Sequence, residues 1–303
     1  MPSYITPARF RTMAFGIDVS ELDDLELAAL CSQATTWVNR YCLVPRLPQM
    51  HDFRGGSITG EQHQWRYPET PFDIGQRKAF PLHWPIKDVT DFRIKVTNTQ
   101  YVGIDPSDLF INNGLKYVEV VSLALTSAGL FNALVIPNIG LATPVVQMNY
   151  DYGWDFEESG EILMPDDGQT YRSQNQWWAT TPTPVITVNG LVATTGFTIN
   201  YDEGTVTFAV DQTPGEYVTA AYHHNLPSEI QWATGHIVAW LHAEAEMHAR
   251  GMAHLQTMNI GEVKMQRPRS FAFSSNDLPD LDSLVPEAAQ LLKDHRFDGA
   301  SIR

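Results

Sequence analysis

The chain has 303 residues, of which 43% are hydrophobic and 18% are charged, and this balance excludes an intrinsically disordered protein. A formal net charge of −15, with no run of basic residues, excludes a protein whose main activity is to grip nucleic-acid phosphates. The two cysteines, Cys31 and Cys42, are predicted to lie about 16 Å apart along one helix, too far to form a disulfide, which favours synthesis in a reducing cytoplasm.

The first strong element is a helix predicted near residues 21–43. Ser20 is placed to cap it, acidic residues follow in its first turn, and apolar residues recur at helical spacing up to Tyr41. Pro45 ends the pattern. Residues 49–75 then predict a long irregular connection, rich in glycine, proline and aromatic residues.

The sequence between residues 77 and 222 is typical of β-structure. Alternating apolar residues predict a strand at 92–96, two strands about an Asn-Asn-Gly turn at 109–121, and a strand at 143–153. These features indicate a β-rich lobe that covers residues 76–222.

A weak internal repeat is predicted inside this lobe. Residues 197–210 and 215–224 show the same succession of strand, turn glycine and Tyr-bearing strand as the earlier part. The two units of this possible repeat are 92–153 and 184–222, joined by the acidic, Trp-containing segment 153–181. Chance similarity among short strands is the alternative.

No membrane-spanning segment is predicted. Residues 120–150 carry no charge, but prolines, asparagines and glycines interrupt them, whereas a spanning helix needs roughly 20 predominantly apolar residues. Residues 1–16 also lack the continuous apolar core of a secretory signal.

A second long helix is predicted to begin at Pro227, with Ser228 and Gln231 forming a capping box, and to run to about Met258. An extended tail follows, and Pro286 starts a last short helix.

Four histidines of the long helix recur every six residues: His236, His242, His248 and His254. Six residues turn a helix by about 240° and advance it by about 9 Å, so successive histidines share no face and cannot bind one ion together. On a helical wheel His248 falls on an apolar stripe, and the other three lie on the opposite arc. The stripe comprises Ile230, Ile237, Leu241, Ala245, Met252 and Leu255, widened by Trp240 and Met247.

A metal site, and with it a metal-dependent hydrolase, is the less favoured interpretation of these histidines. His242 with Glu246, or Glu244 with His248, are spaced as two ligands, and a third would have to come from elsewhere, such as His63, His223 or His224. The spacing of six residues does not match the zinc-protease motif, and no other catalytic template is present. We therefore predict no catalytic residue, no metal and no cofactor.

The segment 151–167 contains seven acidic residues. A solvated acidic loop is the favoured interpretation, because the ligand spacing of a calcium loop is missing, and weak cation binding is the alternative.

Several stretches resemble the head-tail connector (adaptor) proteins of tailed bacteriophages. "ELDDLELAALCSQATTWVNRYC" (21–42) is similar to the opening helix of that family, and "QMNYDYG" and "AAYHHNLPSEIQWA" to its Tyr-bearing strand before a proline-initiated helix. "NIGEVKM" (259–265) and "PEAAQLLKDHRF" (286–297) resemble its post-helix turn and terminal helix. The β region is larger than the family commonly has.

The resemblance and the element order together lead us to expect an α+β fold with three parts. Residues 1–75 and 223–303 would form a helical adaptor core, made of the N-terminal helix, the long helix, the C-terminal arm and the short helix. Residues 76–222 would be a large inserted antiparallel β lobe.

The function that the resemblance implies is that of a structural virion protein in the neck between head and tail. Such adaptors form a ring of copies, typically a dodecamer, under the portal protein, extend the DNA channel and offer a platform to tail or neck proteins. Genomic DNA would pass through without sequence-specific binding, and an acidic channel surface would favour sliding. No membrane partner is implied.

Two surfaces are candidates for these contacts. The polar arc of the long helix carries residues whose exposure a neighbouring copy would explain: Trp232, His236, Ala239, His242 and Ala243. The extended segment "QRPRSFAFSS" (266–275) could dock to the portal by strand addition through Arg267, Arg269, Phe271 and Phe273. A mobile linker is the alternative for this segment.

A virion decoration or receptor-binding protein is the second functional hypothesis. It is motivated by the aromatic composition of the β lobe, in or near which lie Trp65, Trp84, Trp154, Trp177 and Trp178.

Overall fold

The structure of the protein is a computed structural model. It describes residues 3–13, 15, 17–42, 52–63, 78–95, 101–120, 146–212, 217–249, 257–260, 263–266 and 281–296. The chain divides into two compact units, one formed by Pro45–Trp154 and the other by Met1–Val44 together with Asp155–Arg303.

The unit Pro45–Trp154 contains a first β module of seven strands in two antiparallel sheets, with the strand orders β1-β7-β3-β4 and β2-β6-β5. Alternating buried residues such as Val146, Met148 and Tyr150 explain why one face of the larger sheet is covered. The strands are β1 (Gly56–His63), β2 (Lys78–Ala79), β3 (Ile86–Lys95), β4 (Tyr101–Ile104), β5 (Leu109–Asn112), β6 (Tyr117–Val120) and β7 (Val146–Tyr152).

The other unit contains a second β module, residues 155–224, with the strand orders β12-β11-β15-β8 and β13-β14-β10-β9. Its buried residues form one cluster that includes Trp178, Ile186, Val206 and Tyr222. The strands are β8 (Phe156–Ile162), β9 (Met164–Pro165), β10 (Thr170–Arg172), β11 (Val185–Val188), β12 (Leu191–Val192), β13 (Phe197–Asn200), β14 (Thr205–Phe208) and β15 (Val218–His224).

The two modules have the same strand pairing in the same chain order. Strands β1 to β7 correspond in turn to β8, β10, β11, β12, β13, β14 and β15, and β9 is an additional strand. In each module the last strand of the chain returns to the middle of the larger sheet, β7 between β1 and β3 and β15 between β8 and β11.

A shared bulge strengthens this correspondence. Gly60 and Gly160 both have positive φ, +71° and +75°, at a register shift in the edge strand, and each directly precedes a glutamate. That glutamate, Glu61 or Glu161, accepts a hydrogen bond from a buried tyrosine hydroxyl of the neighbouring strand, that of Tyr150 or of Tyr222. In both modules the glutamate pairs with the residue two positions before the tyrosine.

Helices complete the unit that holds the second module. The long helix α3 contacts both α2 and α5, and the rings of Trp37 on α2 and Trp240 on α3 lie 5.6 Å apart. The helices are α1 (Pro7–Thr12), α2 (Asp24–Tyr41), α3 (Ser228–Ala249), α4 (Leu281–Leu284) and α5 (Pro286–Leu292), followed by a 3-10 turn at Lys293–His295. The hairpin of β16 (Thr257–Ile260) and β17 (Val263–Gln266) lies between α3 and α4 in the chain.

Several element predictions are confirmed. The hairpin predicted at 109–121 contains the antiparallel pair β5–β6, and the strands expected at 92–96, 143–153 and 215–224 overlap β3, β7 and β15 in the described residues. The last helix begins at Pro286 as predicted. Cys31 and Cys42 are free and buried, and burial raises the pKa of each thiol to about 12.

The expected fold class, a helical adaptor core with a large inserted β lobe, is wrong. The described residues form mostly antiparallel β-sheet with few helices. Strand β1 lies within the predicted connection 49–75, and β8, β9 and β10 lie within the predicted joining segment 153–181. Edge strands such as β8 carry exposed polar residues, and their alternation is therefore weak in the sequence.

Two helix boundaries are also corrected. Asp23, rather than Ser20, caps α2, because its carboxylate accepts from the backbone N–H of Glu26 while the Glu26 side chain accepts from the N–H of Asp23. The long helix does not reach Met258, which lies in β16. Among the helices in the described ranges, none has the length and apolar character needed to cross a membrane.

Candidate interaction surface

The second module exposes an apolar face on its larger sheet. Cross-strand pairing places Val192, Thr187, Thr219 and Ile162 in one row that runs across all four strands. Val185 pairs with Ala221 in the next row along. The alternate residues of these strands, such as Ile186, Val218 and Ala220, are buried, so this row faces away from the core of the module. We call the six residues Ile162, Val185, Thr187, Val192, Thr219 and Ala221 the outward face.

Three residues of this face are exposed large apolar side chains. Ile162 is 67% exposed, Val192 61% and Val185 45%. Of the twelve exposed large hydrophobic side chains in the described residues, seven belong to the second module: Ile162, Met164, Val185, Leu191, Val192, Val210 and Tyr217. Isolated exposed apolar residues are ordinary, whereas several that share one face of a sheet mark an interaction site.

The module that carries this apolar surface is strongly acidic. It contains ten aspartates and glutamates against a single Lys or Arg, which is Arg172. At one end of the outward face the Asp155 carboxylate lies 2.8 Å from Nδ1 of His223, and Glu157 pairs with His223 across the strands. Acidic residues therefore lie at one end of the apolar surface.

The acidic segment predicted as a loop is mainly strand. Glu157, Glu158 and Glu161 lie on β8, the carboxylates of Glu158 and Glu161 face His224 and Tyr222 on β15, and Asp166 pairs with Arg172. No group of three or more His, Cys, Asp or Glu residues suited to a metal ion occurs among the described residues.

The helix face predicted to contact a neighbouring copy is largely covered within the chain. Ala239, His242 and Ala243 are only 2%, 8% and 0% exposed, so their expected exposure is wrong. The reason is that α2 and α5 both pack on α3. Trp232 is 43% exposed and His236 is half-buried, and both rings meet the ring of Phe15.

The predicted apolar stripe of α3 is confirmed in part. Ile230, Ile237 and Leu241 are buried, whereas Ala245 is exposed and Met252 and Leu255 lie outside the described residues. Nε2 of His242 lies 4.0 Å from a carboxylate oxygen of Glu246, the spacing considered for two metal ligands. The alternative ligand His248 lies where side chains are not described.

The predicted portal-docking arm, with Arg267, Arg269, Phe271 and Phe273, lies outside the described residues. Strand β17 (Val263–Gln266) ends immediately before it. The arm therefore stays a prediction.

The tryptophans that motivated a receptor-binding function are mainly core residues. Trp84, Trp177 and Trp178 are 6%, 9% and 4% exposed, and the Trp178 ring stacks on Tyr222 at 4.0 Å. Trp154 is half-buried, and Trp65 lies outside the described residues. Buried indole rings are not available to stack on a sugar.

No family model and no curated protein matches this chain.

An N-terminal strap links α2 to the second module within the same unit. The Tyr4 hydroxyl donates to Asn39 on α2, 2.7 Å away, while the backbone carbonyl of Tyr4 accepts from Trp177 Nε1 at 3.1 Å. Thr6 donates to Glu203 at 2.8 Å, and the Arg9 guanidinium donates to the carbonyl of Ser173 at 2.8 Å. Sequence patterns did not indicate this strap, because its polar contacts with the second module join residues more than 160 positions apart.

Three histidines, one buried and two half-buried, make stability depend on pH. Burial lowers the pKa of His224, His236 and His295 below the ordinary value of about 6.5. Below that pH these imidazoles are protonated in the unfolded chain but stay neutral in the folded chain. We therefore expect the free energy of unfolding to fall as the pH falls from about 6.5. Urea titrations at a series of pH values measure this slope.

The variant His236→Gln provides the control for that measurement. It removes one titrating group, so its slope below pH 6.5 should be shallower than that of the natural chain. An equal slope, or stability that rises as the pH falls through this window, would show that these imidazoles titrate normally.

Proposed function

We propose that this protein is a structural virion protein, a head-tail connector or adaptor that forms a ring under the portal protein. In this role it extends the channel for genomic DNA and provides a platform for tail or neck proteins. Its place is the neck between head and tail, after synthesis in the host cytoplasm.

The observation that carries the proposal is the concentration of exposed apolar side chains on the second module, with the exposed Trp232 on α3. Side chains of this kind favour a molecule whose working form packs against other copies. The resemblance of the two helical ends of the chain to connector proteins supplies the class of assembly. The net charge of −15 supports a channel surface that repels DNA phosphates.

The resemblance survives the correction of the fold class in one respect only. The order of elements in the chain remains that of an opening helix, Tyr-bearing strands, a long helix, an extended segment and a short terminal helix. The proposal therefore rests on this order and on the exposed surface, and not on a helical core.

Native mass spectrometry of the protein, alone and mixed with the portal protein of the same virus, tests the proposal. We expect a closed ring of identical copies that binds the portal. A protein that stays monomeric at high concentration with and without portal, and that is missing from purified particles, would contradict it.

The arm is tested separately by replacing Arg267, Arg269, Phe271 and Phe273 with glycine and serine. A deletion of 266–303 is unsuitable, because α4 and α5 bury Leu281, Leu284 and Leu292. If the arm docks to the portal, the variant should keep its fold and its self-association but lose portal binding. Unchanged portal binding would show that the arm has another role.

A further inference from the structure

The two β modules allow a position-by-position comparison of the same sheet. Glu61 corresponds to Glu161 and Tyr150 to Tyr222, because they occupy the same places at the bulge. From these anchors the strand registers assign every residue of the outward face a counterpart in the first module.

Every one of these counterparts is polar or glycine. Ile162 corresponds to Gln62, Val185 to Asp91 and Val192 to Gly103. The remaining three, Thr187, Thr219 and Ala221, correspond to Arg93, Gln147 and Asn149. The same fold is thus built with a polar outward face in the first module. The apolar face of the second module is therefore not a requirement of the fold, and this favours a role in an interaction.

Charge decides what kind of surface covers this face. The second module has ten acidic residues and one basic residue, so two of these modules packed face to face would repel each other. Residues 45–154 contain nine lysines and arginines against ten acidic residues, and so carry almost no net charge. The first module also exposes apolar side chains of its own, Phe110 and Leu115.

We propose that the outward face of the second module binds the first module of a neighbouring copy of this chain. Such a contact joins two different surfaces, so it repeats from copy to copy and closes into a ring when the rotation allows. This inference rests on the proposed function, and it identifies the surface by which the ring assembles.

The sister module supplies the substitutions that test this proposal. The double variant Ile162→Gln and Val185→Asp places on the second module the residues that the first module carries at the same positions, which the fold already accommodates. Leu25→Gln is the matched control, because Leu25 is 79% exposed on α2, away from the outward face.

Sedimentation velocity over a wide range of concentrations is the measurement. We expect self-association of the double variant to weaken by about a hundredfold, since two apolar side chains no longer leave water at the contact. Leu25→Gln should assemble as the natural chain does, and circular dichroism should show all three proteins folded. Raising the salt concentration should change association little, because one of the two surfaces carries almost no net charge, whereas a contact between two acidic modules would strengthen as salt screens their repulsion.

The possible outcomes separate this proposal from the ring itself. If the natural chain and the double variant assemble equally, the outward face is not the contact, and the ring proposal stands. If assembly strengthens with salt, two acidic modules meet each other and the head-to-tail contact is wrong. If the natural chain stays monomeric alone and with portal, both proposals fail.

Discussion

Replacing Gly204 with alanine should lower the free energy of unfolding by on the order of 4 kcal/mol, or prevent the second module from folding. Gly204 has a φ of +62°, and a Cβ there would lie 2.2 Å from the backbone oxygen of Asn175 and 2.9 Å from Nε1 of Trp178. Its carbonyl also accepts from the N–H of Ser173 at 3.0 Å. The turn cannot move away from Asn175 and Trp178 without breaking this hydrogen bond.

Gly196→Ala is the control for this prediction. Gly196 also has positive φ, +83°, but a Cβ there meets no atom within 4 Å. Only the conformational cost of about 1–2 kcal/mol is expected. Urea unfolding followed by tryptophan fluorescence compares the two variants. If Gly204→Ala lowers the free energy of unfolding no more than Gly196→Ala does, the turn at Gly204 moves to accommodate the added Cβ.

Replacing Arg9 with glutamine should cost about 3 kcal/mol of unfolding free energy. The Arg9 side chain is only 8% exposed, and its guanidinium donates to the carbonyls of Ser173 and Gln174. Desolvation, and then the charge of Arg172, lower its pKa, while Glu161 and Glu203 act in the opposite direction. Its removal leaves two buried carbonyls and two glutamates with less compensation.

Arg11→Gln is the matched substitution on the same helix. Arg11 also donates to two carbonyls, those of Val19 and Leu22, and it pairs with Asp24 at 3.1 Å, but its side chain is 30% exposed, so its loss should change stability by only about 1 kcal/mol. Hydrogen exchange of α1 adds a second readout, because loss of the strap should speed exchange in residues 7–12 of Arg9→Gln alone. Equal effects of the two substitutions would mean that the Arg9 contacts contribute little.

Local signals predicted some elements well. The sequence Asn112-Asn113-Gly114 predicted the β5–β6 hairpin, whose loop covers residues 113–116, and the Asn112 side chain supports this loop by accepting from the N–H of Leu115. Pro286 gave the start of α5, because proline suits a first helical turn. In each case neighbouring residues determine the structure.

Features that depend on distant partners could not be predicted in the same way. The helical wheel of α3 separates an apolar stripe from a polar arc, but it does not show that α2 and α5 cover both sides, which buries His242 and Ala243. Strand β8 went unnoticed because its glutamates pair with β15, more than 60 residues away. The outward face required strand registers, which only the structure supplies.

The two β modules distinguish the residues that maintain the fold from the residues that face solvent. The glutamate–tyrosine pair and the glycine bulge stay the same in both copies, while the solvent-side residues differ completely. The same arrangement of strands and buried residues therefore carries two different sets of surface residues. We expect that exchanging the six residues of the outward face changes what the module binds, without any change to its buried residues.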